Sequence, residues 1–98
     1  MKKDEILNFL KANKEALRSR YGVEKLGLFG SFSRNEANEN SDIDILFEVG
    51  NGVKLSLFDY LKLSAYLEEN LHQKVDLVRE AKLKEALKPY VYKDIVYA

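Results

Sequence analysis

The sequence predicts a small α/β (α+β) fold, in which a mixed β-sheet of three or more strands is flanked by helices. Three observations predict this class: two long segments with apolar residues at helical spacing, three short apolar runs typical of strands, and the alternation of these patterns along the chain. The chain has 98 residues, which is enough for one hydrophobic core, so we expect a single domain over residues 1–98.

The elements follow from apolar spacing and from the residues that begin or end helices. Ile6 and Leu17 lie on one face of a helical pattern, and Gly22 favours the left-handed conformation that ends a helix. Ser56 is a capping residue ahead of the second long helical pattern, and Pro89 is predicted to end a short helix. The predicted elements are a helix over residues 4–21, a strand over 23–29, a helical turn over 32–36, a strand over 43–49, a helix over 56–71, a strand over 74–79, a short helix over 82–87, and a tail over 90–97 that fits either a strand or a helical turn.

Composition and charge exclude several classes of protein. The absence of cysteine excludes disulfides and zinc–thiolate sites, and no apolar run approaches the ~20 residues of a membrane span, so a cytoplasmic location is the default expectation. The net charge is zero, but residues 1–20 carry +3 (six Lys/Arg against three Asp/Glu) and residues 36–59 carry −5 (one Lys against six Asp/Glu). Because nucleic-acid binding usually needs a basic face, this acidic segment argues against direct nucleic-acid binding.

A set of three carboxylates is the first feature that indicates chemistry. Asp42 and Asp44 are two residues apart at the start of a predicted strand, where side chains at i and i+2 share a face about 7 Å apart. Asp76 lies in another apolar run, where a charge is costly unless it is neutralised. Isolated D-x-D pairs also occur on ordinary solvent-facing strands. Since Mg²⁺ is typically held by a few carboxylates and substrate phosphates, the three acids favour a metal-dependent enzyme acting on a nucleoside triphosphate.

A glycine–serine turn precedes these acids. Gly30 allows close backbone approach, exposed N–H groups entering a helical turn attract phosphate, and Ser31 adds a hydroxyl donor, although a simple strand-ending turn is the commoner meaning. Arg34 is either a donor to a nucleotide phosphate or an ordinary surface arginine. His72, the single histidine, is predicted to cap a helix or face solvent, and without cysteine no catalytic triad can be assembled.

Three motifs in fixed order carry a resemblance to a known family: residues 30–35 (GSFSRN), 41–47 (SDIDILF) and 75–78 (VDLV). Together they resemble the minimal nucleotidyltransferases of the DNA polymerase beta superfamily, and the resemblance covers most of the chain. Asn35 departs from it, because relatives commonly have glycine at this position. Asn tolerates a positive φ better than other non-glycine residues, so we expect the turn to be kept.

The resemblance implies the small nucleotidyltransferase fold and a role for each motif residue. Asp42 and Asp44 would bind two Mg²⁺ ions. Asp76 would complete the metal site and help to deprotonate the attacking hydroxyl. Ser31 and the backbone of Gly30 would hold the triphosphate.

The second long helical pattern predicts a contact with another protein. Between residues 57 and 71, apolar side chains occupy an arc more than twice the ~100° stripe of an ordinary surface helix. Either this helix is packed deep in the core, or part of it contacts another chain, with Tyr90, Tyr92 and Tyr97 of the tail as a second contact. The resemblance suggests the partner, because stand-alone minimal nucleotidyltransferases are often antitoxins paired with a helical HEPN-domain ribonuclease toxin.

The leading hypothesis is an ATP-dependent, Mg²⁺-requiring protein adenylyltransferase. By the resemblance, it would transfer AMP to a tyrosine hydroxyl of a HEPN toxin and so act as the antitoxin of the pair. Two alternatives stay open: nucleotidyl transfer to a small-molecule hydroxyl, and a non-catalytic binding subunit that inhibits its partner by occlusion. The lack of a second domain that could form an acceptor pocket argues against the first, and the presence of all three acids argues against the second.

Overall fold

The computed structural model describes all 98 residues, Met1–Ala98. Helices and strands alternate along most of the chain, as the sequence predicts. The elements are α1 (Lys3–Tyr21), β1 (Val23–Phe29), α2 (Gly30–Ser33), β2 (Ile43–Val49), α3 (Leu57–Leu71), β3 (Val75–Arg79), two 3₁₀ turns (Glu80–Lys82 and Glu85–Leu87), α4 (Lys88–Asp94) and β4 (Val96–Tyr97).

The four strands form one mixed sheet in the order β3-β2-β1-β4. β1 pairs antiparallel with both β2 and β4, whereas β2 and β3 run parallel. A parallel pair needs a crossover connection, which α3 supplies between β2 and β3. The predicted mixed sheet flanked by helices is therefore confirmed. None of the helices combines the length and the apolar character that a bilayer span requires.

One cluster of 18 buried residues joins the sheet to the two long helices. Side chains alternate along β2: Ile43, Ile45 and Phe47 belong to this cluster, whereas Asp44 and Glu48 are half-buried and point to the opposite face. The opposite face therefore carries these two carboxylates, with the buried side chain of Leu46 between them. The helices contribute Ile6, Leu7, Leu10, Leu17 and Tyr21 from α1, and Leu63, Leu67 and Leu71 from α3.

Local geometry confirms the predicted end of α1 and the predicted start of α3. Gly22 has a φ of 75° and donates its N–H to the carbonyls of Arg18 and Leu17, which ends α1. The Ser56 hydroxyl accepts a hydrogen bond of 3.0 Å from the backbone N–H of Asp59, which caps α3.

The prediction of a short helix over residues 82–87 that is ended by Pro89 is wrong. The structure has two 3₁₀ turns there, and Pro89 lies in the first turn of α4. The physical reason is that proline lacks an N–H and has a fixed φ, which suit the start of a helix as well as the residue beyond its end. The tail contains both a helical segment and a strand, because α4 is followed by β4.

The helical turn predicted over residues 32–36 begins earlier, because α2 starts at Gly30. Its closing hydrogen bond runs from the N–H of Arg34 to the carbonyl of Gly30. The glycine–serine turn and the predicted helical turn are therefore one structure, α2.

α3 has a buried stripe and an exposed apolar cluster. Leu57, Phe58 and Leu61 are 74%, 66% and 54% exposed, and we call these three residues the α3 patch. The deep-core alternative is therefore wrong for the first half of the helix, and contact of the α3 patch with another chain stays a prediction. The buried stripe consists of Leu63, Leu67 and Leu71.

Candidate active site

Two of the three predicted acids stand opposite each other on neighbouring strands. Asp44 of β2 pairs with Asp76 of β3 in the parallel register, and paired strands lie about 4.8 Å apart. Asp42 lies two residues before Asp44, just ahead of β2. Asp44 is half-buried, whereas Asp42 and Asp76 are exposed. Asp76 is exposed although its run of sequence is apolar, because Val75 and Leu77 are buried and the strand turns Asp76 to the other face.

The negative charges of Asp76 and Asp42 both act on the carboxyl of Asp44. Burial, the negative charges of Asp76 and Asp42, and a hydrogen bond with Asp76 together raise the pKa of Asp44 to about 6, and the positive charge of Arg34 opposes this rise. Like charges that converge in this way resist ionisation unless a cation is added. The fold therefore brings together the acids that the sequence singled out.

The donor chemistry of this cluster fits Mg²⁺ that is shared with a substrate. No group of three or more His, Cys, Asp or Glu side chains is placed so that it could hold a metal ion. Mg²⁺, however, is usually bound by one or two carboxylates together with substrate phosphates and water, rather than by an all-protein cage. The raised pKa of Asp44 is the observation that agrees with this: its first cause is burial, and a divalent cation would relieve the repulsion by Asp76 and Asp42 that adds to it.

The glycine–serine turn lies directly against these acids. Gly30 has a φ of 75°, and a Cβ atom built on it would lie only 2.1 Å from Oδ2 of Asp44. Glycine is therefore required here both by the backbone conformation and by the space that Asp44 occupies. Ser31, the second residue of α2, is half-buried beside it.

The remaining candidate residues have structural partners. Nη1 of Arg34 donates to Oδ2 of Asp94 at 2.9 Å, and its Nε donates to Oε1 of Glu36 at 3.3 Å. Asn35 has a φ of 58°, so the predicted left-handed conformation is confirmed. His72 is exposed and ends α3 in the left-handed conformation, with its N–H bonded to the carbonyl of Glu68, which confirms the predicted capping role.

A cavity of about 410 Å³ lies beside the acids. Asp76, Gly30 and Arg34 line it on the side of the sheet and α2. The opposite wall comes from the segment after β3, whose residues the sequence motifs did not predict to be part of the site. The signal available was the pair of lysines that follows the third acid, together with the aromatic tail. The wall consists of Lys82, Leu83, Lys84, Leu87, Tyr90 and Val91, and Phe29 and Val78 complete the lining.

Comparison with known proteins gives three kinds of match. The family model of the nucleotidyltransferase domain matches residues 10–98. Protein adenylyltransferase MntA of Thermococcus cleftensis is 42% identical over 94 residues, which cover 96% of this chain and 93% of that protein. A solved structure assigned as a minimal nucleotidyltransferase has a TM-score of 0.71 at 35% identity and covers 92% of this chain and 93% of its own. A crystal structure of a toxin–antitoxin with AMP-PNP has a TM-score of 0.70 at 25% identity and covers 99% of this chain and 72% of that chain.

These matches confirm the family, the fold and the enzyme class that the three motifs indicated. Members of this family generally use a divalent metal ion. The chain therefore belongs to the nucleotidyltransferase domain family, as a minimal nucleotidyltransferase homologous to protein adenylyltransferase MntA.

Proposed function

We propose that the chain is a Mg²⁺-dependent protein adenylyltransferase, which transfers AMP from ATP to a tyrosine hydroxyl of a HEPN-domain toxin and so acts as its antitoxin. The observation that carries the proposal is the pairing of Asp44 with Asp76 beside the Gly30 turn. Relatives support a protein acceptor and a toxin as partner, since MntA is a protein adenylyltransferase and the matched toxin–antitoxin was solved with AMP-PNP. The proposal treats residues 1–98 as one nucleotidyltransferase domain that works in the cytoplasm.

Each acid has a role in this reaction. Asp42, Asp44 and Asp76 would hold Mg²⁺ together with the phosphates of ATP. When bound, the metal neutralises phosphate charge and stabilises the entering and leaving oxygens of an in-line displacement. Asp76 also takes the proton of the attacking hydroxyl, a role that its exposed position supports. The tyrosine oxygen bonds to the α-phosphorus as the bond to the bridging oxygen breaks, and pyrophosphate leaves.

The turn and the cavity bind the rest of the nucleotide. The backbone of Gly30 and the Ser31 hydroxyl hold the triphosphate, and Arg34 adds a charged donor from the cavity wall. Lys82 and Lys84 supply further positive charge on the opposite wall. The apolar part of the lining suits the base and ribose, because nucleotide and small-molecule sites combine apolar walls with a few polar groups.

The decisive experiment compares Asp44→Asn with a matched acid outside the site. Glu39→Gln is suitable, because Glu39 is exposed and lies in the same acidic segment of the sequence. Each protein is incubated with Mg²⁺, α-labelled ATP and the proposed HEPN-domain partner, and the label is located by mass spectrometry. We expect label on a partner tyrosine with the wild type and Glu39→Gln, and a loss of about 10³-fold or more with Asp44→Asn.

Two results would replace this proposal with one of its alternatives. If a variant with all three acids replaced still neutralised the toxin fully, inhibition would occur by occlusion. If label appeared on a small-molecule hydroxyl and never on the partner, the acceptor would be a small molecule. Undiminished transfer by Asp44→Asn would exclude the proposed metal site.

A further inference from the structure

The far wall of the cavity is a segment with little core of its own. Residues 82–91 comprise parts of two 3₁₀ turns and the first half of α4, and only Val91 is buried among them. A helix of seven residues is not stable in isolation, so contacts with the rest of the protein must hold this segment in place. Two carboxylates that do not line the cavity supply such contacts. Glu80 lies before the segment and Asp94 lies after it.

Glu80 ties the segment to the sheet. Its Oε1 accepts a hydrogen bond of 2.9 Å from Nζ of Lys25 on β1, and its Oε2 accepts one of 2.7 Å from Oη of Tyr92 on α4. The hydrogen bond from Lys25 lowers the pKa of Glu80, and the bond to Glu80 raises the pKa of Tyr92 to about 12. At neutral pH the carboxylate is therefore ionised and the phenol keeps its proton, so both bonds are formed.

Asp94 ties the end of α4 to α2. Its Oδ2 accepts the bond from Nη1 of Arg34 at 2.9 Å, and its carbonyl accepts a hydrogen bond from the Ser33 hydroxyl. The Asp94 side chain is only 15% exposed, which strengthens the ion pair relative to one on the open surface. These bonds set the distance between α4 and the turn that begins at Gly30.

We propose that Glu80 and Asp94 are positioning residues for the nucleotide: they hold residues 82–91 against Asp76 and Gly30, and so keep the cavity in its binding shape. This inference rests on the proposed function, because it assigns the cavity to the nucleotide. A wall that is already ordered does not have to be ordered by the ligand, and this lowers the free-energy cost of binding. Loss of either tie therefore weakens nucleotide binding more than it slows the chemical step.

Glu80 gives the clearer test. Asp94 contacts Arg34, which is proposed to bind the phosphates, so a change at Asp94 would also alter phosphate binding directly. Glu80→Gln removes the negative charge that Lys25 and Tyr92 contact, and Tyr92→Phe removes the hydrogen bond from the phenol to Glu80. Neither residue lines the cavity. Glu85→Gln is the matched control, since its ion pair with Lys88 lies within the segment and its side chain is 89% exposed. The measurements are the dissociation constant of Mg²⁺–AMP-PNP by calorimetry, and KM for ATP and kcat in the transfer assay.

We expect Glu80→Gln to raise both the dissociation constant and KM about 5-fold, with kcat changed by less than about 2-fold. Tyr92→Phe should have a smaller effect in the same direction, and Glu85→Gln should have none. Exchanging the charges, with Glu80→Lys combined with Lys25→Glu, should recover most of the affinity. Faster amide hydrogen exchange over residues 82–91 in Glu80→Gln would show that the wall has loosened.

The outcomes separate this inference from the proposed function. If the wild type binds AMP-PNP but Glu80→Gln binds it equally well, the positioning role is overturned and the function stands. A fall in thermal stability without a change in KM would give Glu80 a purely structural role and also overturn it. If the wild type does not bind AMP-PNP with Mg²⁺, the proposed function fails, and the positioning role fails with it.

Discussion

Asp44 stands directly opposite Asp76 in the parallel pairing of β2 with β3, so the sheet places two carboxylates where cross-strand neighbours normally attract each other. Like charges in directly opposed positions destabilise a sheet. The fold tolerates this pair at the edge of the cavity, next to Gly30. Removing one charge of this pair should therefore change the unfolding free energy of the metal-free protein measurably.

The first prediction concerns the pH dependence of that stability. The pKa of Asp44 in the folded protein is about 6, above its ordinary value of 3.8, so the folded state binds this proton more tightly than the unfolded state. The contribution of Asp44 to stability is fully present below pH 3.8 and is lost as the pH rises through 6. We expect Asp44→Asn to remove this loss and to stabilise the metal-free protein at pH 7 by on the order of 1 kcal/mol, because solvent screens part of the repulsion.

Denaturant unfolding with a chelator present, at several pH values from 4 to 7, measures this difference. Glu39→Gln is again the control and should follow the wild-type curve. Parallel curves for the wild type and Asp44→Asn would show that the acids do not repel each other in the folded protein.

A second prediction follows from the same acids when substrate is added. A ligand that binds only the folded state stabilises it by about 2.7 kcal/mol at a concentration of 100 times its dissociation constant. We expect AMP-PNP with Mg²⁺ to raise the melting temperature of the wild type, and AMP-PNP with a chelator to raise it much less. Asp44→Asn should lose the magnesium-dependent part of the shift. An equal shift with and without Mg²⁺ would argue against a metal shared between the acids and the phosphates.

Gly30 gives a third prediction, with Gly52 as its natural control. Both glycines have positive φ, but a Cβ at Gly30 would lie 2.1 Å from Asp44, whereas nothing lies within 4 Å of one at Gly52. Gly52→Ala should cost only the backbone strain, about 1 kcal/mol of unfolding free energy. Gly30→Ala adds a clash and should cost about 2–3 kcal/mol and most of the transfer activity. Similar activity in the two variants would mean that the contact between the turn and Asp44 is unimportant.

The parts of the fold that depend on local sequence were predictable. The ranges of β1 and β2 are reproduced by the structure, because apolar runs bounded by glycine and polar residues define strands. The left-handed conformations of Gly22 and Asn35 followed from the steric freedom of these residue types. The three motifs together predicted that Asp42, Asp44 and Asp76 lie near one another, but not that Asp44 and Asp76 are directly paired across two strands.

The parts that depend on contacts distant in sequence were not predictable. Glu80 and Lys25 are 55 residues apart, and Arg34 and Asp94 are 60 apart, so no local pattern marks these ties. The position of the cavity wall also depends on distant contacts, because α4 packs back beside α2, although the lysines after Asp76 mark some of its residues. Pro89 shows a different limit, because proline fits both the residue after a helix and the first turn of a new one.

The last prediction concerns the α3 patch of Leu57, Phe58 and Leu61, which is exposed although all three side chains are apolar. Contiguous exposed apolar residues indicate a protein contact, so replacing Phe58 with serine should weaken binding of the HEPN partner at least 10-fold, as expected for an aromatic hot spot. The unfolding free energy should change by less than about 0.5 kcal/mol, because the side chain is not in the core. The buried control, Leu67→Ala, should instead cost about 2–5 kcal/mol of stability. Unchanged partner binding by Phe58→Ser in a pull-down titration would place the interface elsewhere, with the exposed tyrosines of the tail as the next surface to replace.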